Sequence, residues 1–291
     1  MKTITVFTPT YNRAEKLIKL YYSLVAQTSK NFVWLIVDDG SCDNTYYLVE
    51  QWIQNNKINI VYIKQPNQGK HIAMEKAFEM CRTQWLICVD SDDVLSNDAI
   101  EKMNEDIEFS DCTDIIGFIY PRKFNSKDYI QYSGKEKYID IMDAKNLYGI
   151  KETAILLKTE ILRNVKFPNY KNEKFLSEEI IYIELEKYGK VLIKNRYFYI
   201  SEYQADGLTK NLFNLWKENP YGTIRLFNDR FLHSNKYKIK ARIFLKMKAI
   251  LNLNGLCISC KISIIENTPS KLWSFALFLP SIVWAKMRFV N

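Results

Sequence analysis

The sequence predicts an α/β fold: a mostly parallel β-sheet with helices on both faces, followed by a helical C-terminal extension. Three observations carry this. Through the first hundred residues, apolar runs of strand length alternate with segments of helical periodicity. Those runs end in polar clusters, where open α/β sheets bind ligands. Beyond residue 210 the short runs give way to longer basic segments with helical spacing.

The elements follow in order. "TITVFTP" (3–9) is a strand, and the helix after it spaces Leu17, Leu20, Tyr21, Leu24 and Val25 along one side. "FVWLIVD" (32–38) is a second, buried strand. "SCDNTYYLVEQWIQNN" (41–56) begins with capping residue types and becomes helical. "INIVYIKQ" (58–65) is a third strand, and "QGKHIAMEKAFEMCR" (68–82) is a helix clustering Ile72, Met74, Ala77, Phe78 and Cys81. "QWLICVD" (84–90) is a fourth strand, and "SNDAIEKMNEDI" (96–107) a further helix. Alternation of this kind builds a parallel sheet with its ligand rim at the strands' carboxyl ends. That rim would carry Thr8-Pro9-Thr10, Asp38-Asp39-Gly40-Ser41 and Asp90-Ser91-Asp92. No Gly-x-Gly-x-x-Gly or Walker-type loop is present, which removes the usual dinucleotide and P-loop classes.

Composition bounds the rest. With 47% hydrophobic and 14% aromatic residues, there is material for a packed core and no sign of a disordered chain. The net charge of +8 is unevenly placed. Residues 230–291 hold eleven Lys or Arg against Glu266 alone, leaving thirty basic and thirty-two acidic residues in 1–229. A basic body built around nucleic acid is therefore not expected; a tail that meets an anionic surface is. The start, "MKTITVFTPTYNR", lacks an apolar core of signal-peptide length, so cytoplasmic, reduced thiols are expected for the six cysteines. Cys257 and Cys260 have no second cysteine pair, and with only His71 and His233 beside them the ligand count argues against structural zinc. No run reaches the roughly 18 apolar residues of a membrane span. The best, Leu272–Ala285, is broken by Pro280.

The acids at residues 90–93 need an explanation. In an extended segment Asp90 and Asp92 point the same way, roughly 6–7 Å apart, and Ser91 points away. Like charges this close raise one pKa or destabilise the strand end. A magnesium or manganese ion, completed by phosphate and water, would resolve the conflict. An acidic turn leading into the next helix explains Asp93 equally well, but not the acids that end strand two. Lys70 and His71 begin a helix near the same rim, where dipole and side-chain charge favour phosphate. Packing alone would account for His71 as well.

"TPTYNR" (8–13), "VDDGSCDNT" (37–45), "NQGKHIAMEKAF" (67–78) and "DSDD" (90–93), in this order and spacing, resemble the inverting glycosyltransferases of family 2. The likeness covers residues 1 to about 210 and is strongest to bacterial members that build capsular and other surface polysaccharides. It implies the A-type glycosyltransferase fold (GT-A), a Rossmann-like nucleotide-sugar-binding sheet with an Asp-x-Asp motif. On that resemblance residues 1–210 form the catalytic domain. Its nucleotide-sugar-binding half is 1–110, its acceptor-side half is 111–210, and 211–291 is a basic, amphipathic extension. Thr8, Thr10 and Arg13 would line the nucleotide pocket, and Asp39 would hydrogen-bond the base, most often uridine. Asp90 would hold the ribose or share in the metal site, with Ser91 beside it in the donor site, and Asp92 would be the main metal ligand. The cofactor implied is a divalent cation, Mn²⁺ or Mg²⁺. The turn at Asp206-Gly207, in "EYQADGLT", would close over the donor. Two other classes remain: a sugar nucleotidyltransferase, which "TPTYNRAEK" does not suit, and a non-catalytic sugar-nucleotide-binding protein.

An inverting transfer also needs a base for the acceptor hydroxyl. In relatives of this kind it is a carboxylate, often in a Glu-Asp pair at a helix start. In "KFLSEEIIYIELEKYGK" (174–190) Ser177 is a candidate N-cap, placing Glu178 and Glu179 in the first turn. Glu178 is preferred and Glu179 is the alternative; acids at a helix start also stabilise it without any chemistry. Glu152, Glu160 and Glu173 are poorer candidates. In the tail, "KYKIKARIFLKMKAILNL" (236–253) spaces Ile239, Ile243, Phe244, Met247, Ile250 and Leu251 helically, with Lys238, Arg242 and Lys246 on another face. With the Trp- and Phe-rich, Lys- and Arg-flanked segment 271–289 it resembles a membrane-interfacial helix. A lipid-linked saccharide acceptor and a place on the inner face of the cell membrane are the matching expectations.

Overall fold

A computed structural model describes residues 3–289 except 112, 114, 125–131, 133, 151 and 202–210. The Asp206-Gly207 turn lies outside the described residues. Contacts divide the chain into two compact units, Met1–Lys166 with Glu184–Gln204, and Phe167–Ile183 with Ala205–Asn291. The segment 167–183 groups with the C-terminal helices in the second unit.

The first unit opens with β1 (Ile4–Thr10), α1 (Ala14–Val25), β2 (Phe32–Asp38), α2 (Thr45–Asn55), β3 (Ile60–Lys64), α3 (Lys70–Met80) and β4 (Trp85–Cys88). It continues through β5 (Val94–Leu95), α4 (Ala99–Phe109), β6 (Ile115–Pro121), β7 (Lys123–Phe124), β8 (Lys137–Ile139), α5 (Asp143–Asn146), β9 (Thr153–Lys158) and α6 (Thr159–Leu162). After α7 (Glu179–Leu185), which the division cuts, come β10 (Lys190–Ile193) and β11 (Tyr199–Ser201). Eight strands form one sheet in the order β3-β2-β1-β4-β9-β6-β10-β8. The first four are parallel, in register from Ile4 against Phe32 and Trp85. β9 runs antiparallel between β4 and β6. A small sheet, β5-β11-β7, adjoins the turn that follows β4.

The parallel strands are near-continuous apolar runs because helices cover both faces. On one face Leu17, Leu20, Tyr21 and Leu24 of α1 are buried against the sheet. Tyr21 stacks on Trp52 of α2 at 4.2 Å, and Trp34 of β2 completes the cluster. Trp34 is fully buried, and its indole N–H is satisfied by Thr8 Oγ1 at 3.0 Å. Without that acceptor the buried donor would go unpaired.

The second unit holds α8 (Leu212–Glu218), α9 (Pro220–His233), α10 (Ile239–Cys260), α11 (Ile264–Asn267), α12 (Lys271–Ala276) and α13 (Phe278–Arg288). Pro220 starts α9, and the next two N–H groups, of Tyr221 and Gly222, both donate to Glu173 at 2.7 Å. Glu173 thus caps a helix, which gives that acid a structural task. By length and composition α10 is able to cross a membrane, with 22 residues and a best-window mean hydropathy of 1.3. Its C-terminal half instead forms the unit's core: Ile250, Leu253, Leu256 and Cys257 are fully buried. Trp284 of α13 donates to Asn252 Oδ1 at 3.1 Å, and Asn254 donates to Ser274 O at 3.0 Å. The apolar residues of α10 therefore do not make one exposed face. The helix divides along its length, with Ile239, Ile243 and Phe244 exposed and Ile250 packed inside.

Candidate active site

The carboxyl ends of β1, β2 and β4 and the N-terminus of α3 bring polar groups together within the first unit. After β2 the chain turns sharply at Gly40, whose φ is +86°. A Cβ there would sit 2.9 Å from the Asn67 backbone nitrogen, so only glycine fits. Asp38 is fully buried and serves this turn, accepting from Ser41 N at 2.7 Å and from the Tyr62 hydroxyl. Asp39 reaches the next loop. Its Oδ1 accepts from Gln65 Nε2 (2.8 Å) and Gln68 N (2.9 Å), and its Oδ2 from Gly69 N (2.7 Å). A carboxylate has about four acceptor positions, so the side chain is fixed by three donors and, among the described residues, keeps one position on Oδ2.

The segment after β4 departs from the extended geometry expected of it. Asp93 N closes on Asp90 O at 3.1 Å, so residues 90–93 form a turn. Strand alternation does not place these acids; their counter-ions do. Asp90 Oδ1 lies 2.6 Å from Lys70 Nζ, at the first residue of α3, and its Oδ2 lies 3.3 Å from Arg122 Nη1. Asp92 Oδ2 takes Arg13 Nη1 at 3.0 Å. Asp93 Oδ2 takes Arg122 Nη1 at 3.2 Å and the Tyr199 hydroxyl at 2.8 Å. Burial alone would push Asp90 upward, but the charges of Lys70 and Arg122 override it and hold the carboxyl well below its usual range. For Asp93 burial wins over Arg122, and the carboxyl is pushed up to about 6.

Arg122 and Tyr199 were not legible as site residues. Arg122 follows the wholly buried strand β6, and its guanidinium lies 4.2 Å from the Tyr199 ring centroid. Its Nε donates to Thr153 O at 3.0 Å, and the Tyr199 hydroxyl in turn accepts from Asp90 N at 3.0 Å. The pair therefore clamps both ends of the acidic turn. The one available signal was a cation directly after an apolar strand. Arg122→Met is expected to lower stability by about 3 kcal/mol, because two carboxylates lose their buried partner. Thermal unfolding followed by circular dichroism measures this; an unchanged midpoint would show that the clamp does not stabilise the fold.

The remaining residues separate by role. Thr8 is spent on Trp34, whereas Thr10 Oγ1 is buried with no hydrogen-bond partner among the described residues. Ser91 is buried within the turn. His71 is buried in α3, and burial lowers its pKa against the opposing pull of Asp39. Glu178 and Glu179 belong to the second unit. Ser177 Oγ accepts from Glu179 N at 3.4 Å, a long contact at the cap position. Glu178 Oε2 accepts from the Tyr182 hydroxyl at 2.6 Å, and Glu179 Oε2 pairs with Arg230 Nε at 2.8 Å.

Among the described residues no group of three or more His, Cys, Asp or Glu is arranged to hold a metal ion. A Mg²⁺-type ion does not need such a cage, since it takes one or two carboxylates and completes its shell with phosphate and water. Asp92 suits that donor set. Its side chain is 22% exposed, and its ion pair with Arg13 uses a single oxygen.

The fold is the A-type glycosyltransferase fold, with the polar groups gathered at the carboxyl rim of its parallel half-sheet. The chain belongs to glycosyl transferase family 2, whose profile matches residues 5–166. It is therefore a glycosyltransferase. It is similar to the glycosyltransferase GlyG of Streptococcus pneumoniae, 22% identical over 230 residues that span 73% of this chain and 74% of that protein. Among solved structures it is similar to residues 1–349 of S. aureus TarS in complex with UDP-GlcNAc. That match has a TM-score of 0.62 and 16% identity, over 99% of this chain and 89% of the other. A mannosyltransferase from Pyrobaculum calidifontis, in complex with GDP-Man and Mn²⁺, matches with a TM-score of 0.56 and 14% identity, over 98% and 83%. At these identities the structural likeness shows the fold.

Proposed function

We propose that the protein moves a sugar from a uridine diphosphate sugar to a hydroxyl of a lipid-linked saccharide, with inversion, in the assembly of a bacterial capsular or other surface polysaccharide. It would work in the cytoplasm, peripherally, at the inner face of the cell membrane. The observation that carries the donor assignment is the convergence of Arg13, Asp39, Lys70, Asp90 and Asp92 on one rim, with Thr10 Oγ1 buried there and without a hydrogen-bond partner among the described residues. The remaining acceptor position on Asp39 Oδ2 suits the imide N–H of a uracil ring. Asp90 holds the ribose hydroxyls, and Thr10 and Ser91 line the nucleotide site.

Asp92, assisted by Asp90, would hold the divalent cation. When bound, a cation of this kind neutralises charge developing on a diphosphate leaving group. Lys70, at the N-terminus of α3, and Arg13 add positive charge for the same diphosphate. Glu178 removes the proton as the acceptor oxygen attacks the anomeric carbon opposite the departing diphosphate, and the configuration inverts in one displacement.

A screen of nucleotide sugars, scored by thermal stabilisation and by hydrolysis with and without Mn²⁺, tests the assignment. A uridine diphosphate sugar is expected to stabilise the chain most, and more so with Mn²⁺. Stabilisation by no nucleotide diphosphate sugar, or the same stabilisation without cation, would overturn it.

A further inference from the structure

The last helices carry apolar surface that the second unit leaves uncovered. α12 and α13 continue almost as one helix. Leu277 between them has φ −101° and ψ 10°, and backbone bonds from Leu277 N to Trp273 O (3.1 Å) and from Ser281 N to Leu277 O (2.9 Å) bridge the junction. At 3.6 residues per turn, Leu272, Phe275, Leu279, Val283 and Met287 share one stripe about 120° wide. They are 77%, 84%, 73%, 59% and 70% exposed. Ser274, Ser281, Ala285 and Phe289 are buried instead, and Trp284 and Phe289 pack beside Gly255 of α10. Isolated exposed apolar residues are ordinary on a protein surface, whereas a continuous row of five marks an interaction site.

Charge decides what covers the row. Residues 230–291 hold eleven Lys or Arg and one acid, and exposed Lys271 and Lys286 lie within the same two helices. A second copy of the chain would bring two such basic surfaces together, which their repulsion opposes. An anionic surface meets no such penalty. We propose that the stripe from Leu272 to Met287 lies in the interface of an anionic bilayer, its apolar side chains at the acyl boundary and its lysines among lipid phosphates. The sequence pattern offered 236–253 and 271–289 together, within 236–291, as the membrane face. Half of α10 is core, so the contact narrows to α12 and α13, with exposed Ile239, Ile243 and Phe244 on α10 as further apolar surface. The inference rests on the proposed membrane-borne acceptor for its purpose alone, and its test measures binding without turnover, so either can fail alone.

The full chain is mixed with vesicles of phosphatidylcholine, or of phosphatidylcholine with phosphatidylglycerol, and flotation is measured at two salt concentrations. Binding is expected with phosphatidylglycerol only, and weaker at high salt. The double substitution Phe275→Ser with Leu279→Ser removes two of the most exposed side chains and is expected to weaken binding at least about tenfold. Its thermal unfolding and its hydrolysis of a nucleotide sugar should match the unsubstituted chain. Equal flotation with neutral vesicles, or unaltered binding by the double variant, would overturn the proposal. So would an unsubstituted chain that sediments as a dimer and a double variant that sediments as a monomer, since the stripe would then join two copies.

Discussion

Asp92→Asn is expected to abolish cation-dependent donor binding and to lower transfer by about 10²–10⁴, the equivalent of several kcal/mol of charge stabilisation. The substitution keeps the shape of the side chain and an oxygen for Arg13, but removes the charge a hard cation requires. The fold should survive, because Asp92 is partly exposed and its amide analogue keeps an oxygen for Arg13. Titration of a nucleotide diphosphate with and without Mn²⁺ separates lost binding from lost chemistry, and circular dichroism checks the fold. Turnover equal to that of the unsubstituted chain would remove Asp92 from the metal site.

Glu178→Gln is expected to lower kcat by about 10²–10⁴, the usual contribution of a general base, with donor affinity nearly unchanged. The amide keeps a hydrogen bond to the Tyr182 hydroxyl but cannot take a proton from an acceptor. Glu179→Gln is the control, because it weakens the ion pair with Arg230. Its expected signature is a lower unfolding temperature with transfer largely retained. If Glu179→Gln shows the kinetic loss instead, the base is its carboxylate. If neither variant loses activity, the two acids serve only the start of α7.

Much of the first unit was legible because its signals are local. Strand length and the helical spacing at Leu17–Leu24 depend on residues within a few positions of one another. The four motifs at residues 8–13, 37–45, 67–78 and 90–93 likewise read directly as strand ends and a helix start, and the sheet brings three strand ends to one rim. The tail was legible as helical and basic, but not which of its apolar residues would be covered.

What the sequence by itself determined is the α/β class, which follows from short-range periodicity, and the residue types at the carboxyl rim; four motifs in order carried a resemblance to family 2, and the family profile over residues 5–166 shows the membership. Only the tertiary structure decided how the acids are held. Tyr199 meets Asp90 across 109 positions of chain, and Arg122 reaches both Asp90 and Asp93 from the end of another strand. It also set β9 antiparallel between β4 and β6, bent residues 90–93 into a turn, and gave Glu173 to the start of α9. The physical reason is the same in each case. A buried charge must find a counter-charge or a hydrogen-bond donor, and which one it finds depends on the strands and helices that become neighbours, not on the residues beside it in the chain.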